Sequence, residues 1–91
     1  MGFQWDDEKD ERNRRKHGVD FDEAATTFYD PLARVQLDEA HSQEEERYVL
    51  LARSERGRFL VTVFTQRGED IRIISSRRAT RREVKAYEER I

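Results

Sequence analysis

The sequence predicts an α+β fold: an antiparallel β-sheet with two N-terminal helices and one C-terminal helix, in a single domain over residues 1–91. Three observations point there. Apolar and β-branched runs at 47–53, 58–65 and 71–74 are separated only by the turns Glu55-Arg56-Gly57 and Arg67-Gly68-Glu69, the pattern of an antiparallel meander. Asp6, Asp20 and Thr80 each read as a helix N-cap outside those strands. A chain of 91 residues can bury one modest core but not two.

Phe3 to Trp5 reads as a short strand. Asp6 caps the first helix, and Asp7 and Glu8 fill its first turn, where the helix dipole favours acids. The helix runs to Lys16 or His17, and Gly18 stands where a C-cap glycine belongs. No apolar residue occurs from Asp6 to Lys16, so this is not an ordinary amphipathic core helix. Lys9, Asn13 and His17 share one face instead, with Lys16 beside them and Trp5 near the start of the row. Asp20 and Glu23 have capping-box spacing and open a second helix, whose apolar face is Phe21, Ala24, Ala25 and Phe28. Asp30-Pro31 ends it.

Residues 32–37 form the next expected strand, and 38–46 an acidic loop. In the strand 58–65, Phe59, Val61 and Val63 fall on one face and Leu60 and Phe64 on the other, which marks a strand central in its sheet. Ile71, Ile73 and Ile74 begin the last strand. Thr80 and Glu83 then form a capping box, followed by Val84, Tyr87 and Ile91 at helical spacing. The sequence contains no internal repeat and no low-complexity segment.

There is no cysteine, which excludes a disulfide framework, a zinc-thiolate site and a cysteine nucleophile. No apolar run is long enough to span a membrane and no signal peptide opens the chain, so the expected location is the cytoplasm. The net charge of −2 conceals a segregation. From Ile71 onward seven bases face three acids, a charge of +4, and the first seventy residues carry −6. A basic end on an acidic body suits an anionic ligand on one face, although a solvated surface of mixed ion pairs has the same composition.

Arg77, Arg78, Arg81 and Arg82 crowd the start of the C-terminal helix, where the dipole opposes cations. An anion, and a phosphate above all, would resolve that conflict. No Gly-x-Ser-x-Gly, His-Glu-x-x-His or glycine-rich phosphate loop is present, and His17 and His41 lack metal-ligand spacing. No cofactor or metal is expected. The inventory of arginine, lysine, histidine and aromatic rings suits phosphodiester chemistry: guanidinium forks hold the phosphate, and rings stack on bases or move protons. Each candidate also has a structural reading. Arg72, Arg77, Arg78 and Arg47 could serve in ion pairs, His17 and Asn13 could satisfy backbone groups around Gly18, and Trp5 and Tyr87 could belong to the core.

Trp5-Asp6, Asn13, Lys16-His17-Gly18-Val19, Phe21-Asp22-Glu23-Ala24, Asp30-Pro31, Glu45-Glu46-Arg47 and Arg72-Ile73-Ile74-Ser75-Ser76-Arg77-Arg78-Ala79, before Glu83 and Tyr87, occur in an order that covers nearly the whole chain. Taken as a set, they resemble the BrnT toxins of bacterial type II toxin–antitoxin pairs. Two features depart from the family pattern. The first helix is more heavily charged, and the usual Ser-Ala-Arg is Ser75-Ser76-Arg77.

The resemblance implies a RelE-like fold and a metal-independent endoribonuclease that blocks translation. It also implies neutralisation by a BrnA-type antitoxin with a ribbon-helix-helix domain, through which a complex, possible as a heterotetramer, reaches operator DNA. With the residue inventory it assigns catalysis to Arg72, Arg77 and Arg47 on the phosphate, His17 or Lys16 in proton transfer and Tyr87 in support. RNA binding falls to Arg78, Arg81, Arg82, Trp5 and Lys9. A module that binds antitoxin or RNA without cleaving is the alternative.

Overall fold

The computed structural model describes residues 1–89. The chain runs β1 (Phe3–Gln4), α1 (Asp7–His17), α2 (Phe21–Thr26), β2 (Arg34–Leu37), β3 (Arg47–Arg53), β4 (Phe59–Arg67), β5 (Asp70–Arg78) and α3 (Arg81–Glu88), with 3₁₀ turns at Thr27–Tyr29 and Glu39–His41. Element order and type follow the sequence reading. The sheet has the order β1-β5-β4-β3-β2, so β4, apolar on both faces, is its centre. β2 to β5 form the expected antiparallel meander.

β1 differs. It pairs in parallel with β5, Phe3 opposite Ile71 and Gln4 opposite Arg72, which makes the sheet as a whole mixed. A two-residue strand carries no periodic signal for its direction or register. Local bonds fix it instead: Asp70 accepts from the Gly2 amide at 3.2 Å and the Gln4 side chain at 3.1 Å, and the Ile71 amide donates to the Gly2 carbonyl at 2.8 Å.

One face of the sheet, with Leu50, Ala52, Phe64, Ile71 and Ile73, meets Phe21 and Ala24 of α2. Phe28 stands edge-on to Phe64, Tyr48 stacks on Phe64, and Trp5 stands edge-on to Phe21. α2 is shorter than its apolar pattern suggests, because Phe28 is delivered by the 3₁₀ turn that follows.

The apolar-free α1 is held by Asn13, which is buried. Its Nδ2 donates to the carbonyls of Val19 and Ser76 at 2.8 and 2.7 Å, and its Oδ1 accepts from the Ser76 amide at 3.1 Å. β1 covers the outer edge of β5 only at Ile71 and Arg72. At Ser76 the side-chain amide of Asn13 takes the place of a neighbouring strand. Gly18 ends α1 at φ 70°, in the left-handed region, with its N–H on the Arg14 carbonyl.

The capping box expected at Asp20 forms only by half. Asp20 accepts from the Glu23 amide, but the Glu23 carboxylate turns inward to Ser54 Oγ at 2.7 Å and to the Arg58 guanidinium. Arg58 also donates to the Gly18 carbonyl, so one buried ion pair ties α1, α2 and the β3–β4 turn together. Arg58, and then Ser54, holds the Glu23 carboxyl below the usual carboxylate range against the opposing effect of burial. At α3 the Thr80–Glu83 box is complete. This helix crosses the second face of the sheet, with Tyr87 edge-on to Phe59 and the Arg34 guanidinium on the Ala86 carbonyl at 2.9 Å. Ile91, expected on its apolar stripe, and Arg90 lie outside the described residues.

Candidate functional site

The second face of the sheet is built in cross-strand rows, because side chains alternate and β3, β4 and β5 are in fixed register. Arg53 lies opposite Phe59, Leu51 opposite Val61 and Arg77, and Val49 opposite Val63 and Ser75. The next row is Arg47, Thr65 and Arg72. A bulge at Val63/Phe64 lets Ile73 keep its place in the core while Arg72 joins this row. α3 covers the first rows through Tyr87 and Glu83, and the arginine row lies at the other end.

Arg47 and Arg72 are half-buried, and among the described residues neither guanidinium makes a hydrogen bond or a close ion pair. Thr65 between them is 1% exposed, and its hydroxyl is a buried polar side-chain atom without a hydrogen-bond partner among the described residues. Arg67, two residues further along β4 on the same face, is held by Glu45 through Nε at 2.5 Å and Nη2 at 3.1 Å. These bonds keep the Glu45 carboxyl below the usual range, and the charges of Arg72 and Arg47 add to the effect. Three arginines are therefore the same-face neighbours of the buried Thr65, and the charges of all three act on one carboxylate, Glu45.

Beside this row the acidic loop encloses a cleft of about 350 Å³, lined by Ala40, His41, Gln43, Glu44, Glu45 and Arg47. His41 Nδ1 contacts the Asp38 carboxylate at 3.0 and 3.2 Å, which orients the ring and leaves Nε2 for another partner.

Of the residues singled out from the sequence, Arg47 and Arg72 are brought together and the others are not. Arg77 is on the same face but opposite Val61, four β4 residues from Thr65, about 13 Å along the strand. Its guanidinium forks onto Glu83 at 2.8 and 2.9 Å, and its Nη1 also reaches the Arg78 carbonyl. Glu83 thus supplies Arg77 with the anion that the sequence reading sought in a ligand. Its carboxyl is lowered to about 2, chiefly by Arg77.

The hydroxyl of Tyr87, expected to be left free, donates to Asp30 Oδ2 at 2.6 Å. His17 and Lys16 end α1 next to Gly18, which Arg58 binds at the start of β4, whereas Thr65 is near its end. Trp5 packs on the core, and Lys9 is exposed on α1. Arg78, Arg81 and Arg82 are exposed where β5 passes into α3.

Thr65, Arg67, Glu45 and the Asp38–His41 pair were not among the site residues read from the sequence, although Glu45 stood in the family motif and His41 was weighed only as a metal ligand. Alternation along β4 puts Thr65 and Arg67 on one face, so the strand pattern contained that signal. Their apposition to Arg47 and Arg72 required the register. Asp38 and His41 are separated by three residues inside a loop that has no periodicity to read.

Residues 5–83 match the family model described as "Ribonuclease toxin, BrnT, of type II toxin-antitoxin system". No curated protein matches the chain. Among solved structures, the crystal structure of the Brucella abortus ribonuclease toxin, BrnT, is similar at a TM-score of 0.68 and 24% identity, covering 89% of this chain and 99% of that one. At that identity the likeness establishes the fold.

Proposed function

Because the chain belongs to the BrnT family of ribonuclease toxins of type II toxin–antitoxin systems, we propose that it is a metal-independent endoribonuclease that cleaves RNA and stops translation in the cytoplasm until a BrnA-type ribbon-helix-helix antitoxin binds it. The observation that carries the reading is the Arg47–Thr65–Arg72 row. Two guanidiniums without a hydrogen-bonded partner among the described residues flank a buried hydroxyl on one sheet face. Guanidinium forks on a rigid element match a phosphodiester and the charge that grows on it during cleavage.

The ribose 2′-oxygen attacks the adjacent phosphorus as the bond to the 5′-oxygen breaks. The products are a cyclic phosphate and a 5′-hydroxyl. Arg72 and Arg47 hold the non-bridging oxygens. The proton leaving the 2′-hydroxyl passes to His41, oriented by Asp38 in the cleft that Arg47 lines, and the departing 5′-oxygen takes a proton from solvent. Arg78, Arg81 and Arg82 supply further contacts to the RNA backbone. The alternative, a module that binds without cleaving, draws on the pairing of Arg77 with Glu83, which withdraws one arginine from the site.

Induction of the chain without its antitoxin tests this reading. Growth should arrest, and the purified protein should cleave RNA in the presence of a chelator, leaving cyclic-phosphate and 5′-hydroxyl ends. His41→Asn should slow cleavage roughly a hundredfold or more, as the loss of a positioned proton acceptor does. Normal growth and intact RNA at confirmed soluble expression would favour the binding module.

A further inference from the structure

We propose that the Thr65 hydroxyl is itself a substrate contact, donating to a phosphate oxygen that Arg47, Arg67 and Arg72 surround. This rests on reading the row as a phosphodiester site and adds a ligand group and a third arginine to it. A buried hydroxyl without a partner destabilises the protein that carries it, and such groups in native proteins call for an explanation. Valine would fill the same space in a β-strand without that cost. The other fully buried threonine of β4 that faces a polar neighbour, Thr62, is paired, with its Oγ1 2.9 Å from Ser76 Oγ. Thr65 is thus not typical of its strand.

Its surroundings identify the missing acceptor. The in-sheet neighbours of Thr65 are Arg47 on β3, Arg72 on β5 and Arg67 along β4, all donors that carry positive charge. The group that satisfies a hydroxyl donor among three cations is an anion with several oxygens, and a phosphodiester offers two non-bridging ones. Glu45 already holds Arg67 by a two-point contact of the kind a phosphate makes. In the free protein it acts as the resident counter-ion, and the incoming phosphate displaces it from Arg67. The long side chains of Arg47 and Arg72, unbonded to other groups among the described residues, move apart to admit that oxygen.

The probe is a short fluorescent 2′-O-methyl RNA, which cannot be cleaved because the attacking hydroxyl is blocked. Its affinity is measured for wild type, Thr65→Val, Thr65→Ser and Arg72→Ala, beside thermal unfolding. Thr65→Val should weaken binding about tenfold or more, the loss of a hydrogen bond to a charged group, while melting at the wild-type temperature or above. Thr65→Ser should restore most of the affinity. Unchanged binding by Thr65→Val with weakened binding by Arg72→Ala overturns the role of Thr65 alone. Wild type that fails to bind, or Arg72→Ala that binds normally, overturns the phosphodiester site and Thr65 with it. Weaker binding with a lower melting temperature and no rescue by serine assigns Thr65 a purely structural role and also overturns the proposal.

Discussion

Arg72 and Arg77 look alike in the sequence, five residues apart on one strand, and the structure gives them different surroundings. Arg72 shares its row with Arg47 and has no bonded partner among the described residues. Arg77 is forked onto Glu83. The spacing of Thr80 and Glu83 announced the capping box, but nothing in the sequence said that the same carboxylate would also face back to β5. Arg72→Ala should therefore leave stability within about 0.5 kcal/mol of wild type and cost roughly a hundredfold or more in RNA cleavage, as the loss of a fixed donor to the growing phosphate charge does. Arg77→Ala should instead cost about 1 kcal/mol of stability, a modest figure because its side chain is 43% exposed and water screens the pair. The pH dependence has a definite sign. Glu83 has a depressed folded-state pKa, from 4.5 to about 2, so its contribution is present above pH 4.5 and is lost as the pH falls toward 2. Arg77→Ala should lose that acid-sensitive part. Chemical denaturation of both variants at neutral and at acid pH, beside RNA cleavage, checks the pair of expectations.

At the scale of elements, the sequence displayed the strands and helices through their periods and caps, and their order was legible. The strand β4 announced its central place by being apolar on both faces. What could not be read was how a helix with no apolar residue joins a core. Hydrophobic burial, the usual source of helix docking, is unavailable to α1. A buried amide supplies the attachment: Asn13 replaces a strand at Ser76, and Asp10 accepts from the Phe21 amide at 2.8 Å. Asn13 was visible on the polar stripe, with His17 and Lys9, but its partner Ser76 is sixty-three residues away in the chain and is open to it only because of where β1 stops. Truncating it strands the Ser76 amide and carbonyl and the Val19 carbonyl, all in a buried setting. Asn13→Ala should cost about 2–4 kcal/mol, more than one unsatisfied buried group but less than independent losses would add to. The β5 amides from Ser75 to Arg77 should exchange faster than those of β4. Unfolding in denaturant and hydrogen exchange read the two effects. A loss below about 0.5 kcal/mol, the range of an ordinary surface substitution, would show that α1 is held by other contacts.

Across the whole molecule, the separation of charge that composition revealed has a definite geometry. The chain carries −2 overall, with +4 from Ile71 onward. The second face of the sheet holds Arg47, Arg67 and Arg72 at one end, and Arg78, Arg81 and Arg82 are exposed where β5 enters α3. That the face would be basic was legible. Arg47, from the acidic part of the chain, was placed with it only through the family resemblance, and that Arg67 would join them was not legible, because register rather than proximity in sequence gathers them. Under the proposed function, an antitoxin that masks these arginines, for instance with an acidic segment, would compete with RNA for them. Co-expression of the chain with its antitoxin should therefore yield a complex in which the small partner co-purifies and the 2′-O-methyl RNA no longer binds. Competition for exposed cations is screened by salt, so the complex should form more slowly and weaken as the salt concentration rises. The variant Arg72→Ala should weaken RNA binding and reduce antitoxin affinity together. A complex that still binds RNA at full affinity, or whose stability is indifferent to salt, would place the antitoxin elsewhere. The exposed apolar residues Leu32, Val35 and Leu37, on and beside the edge strand β2, would then be the surface to examine.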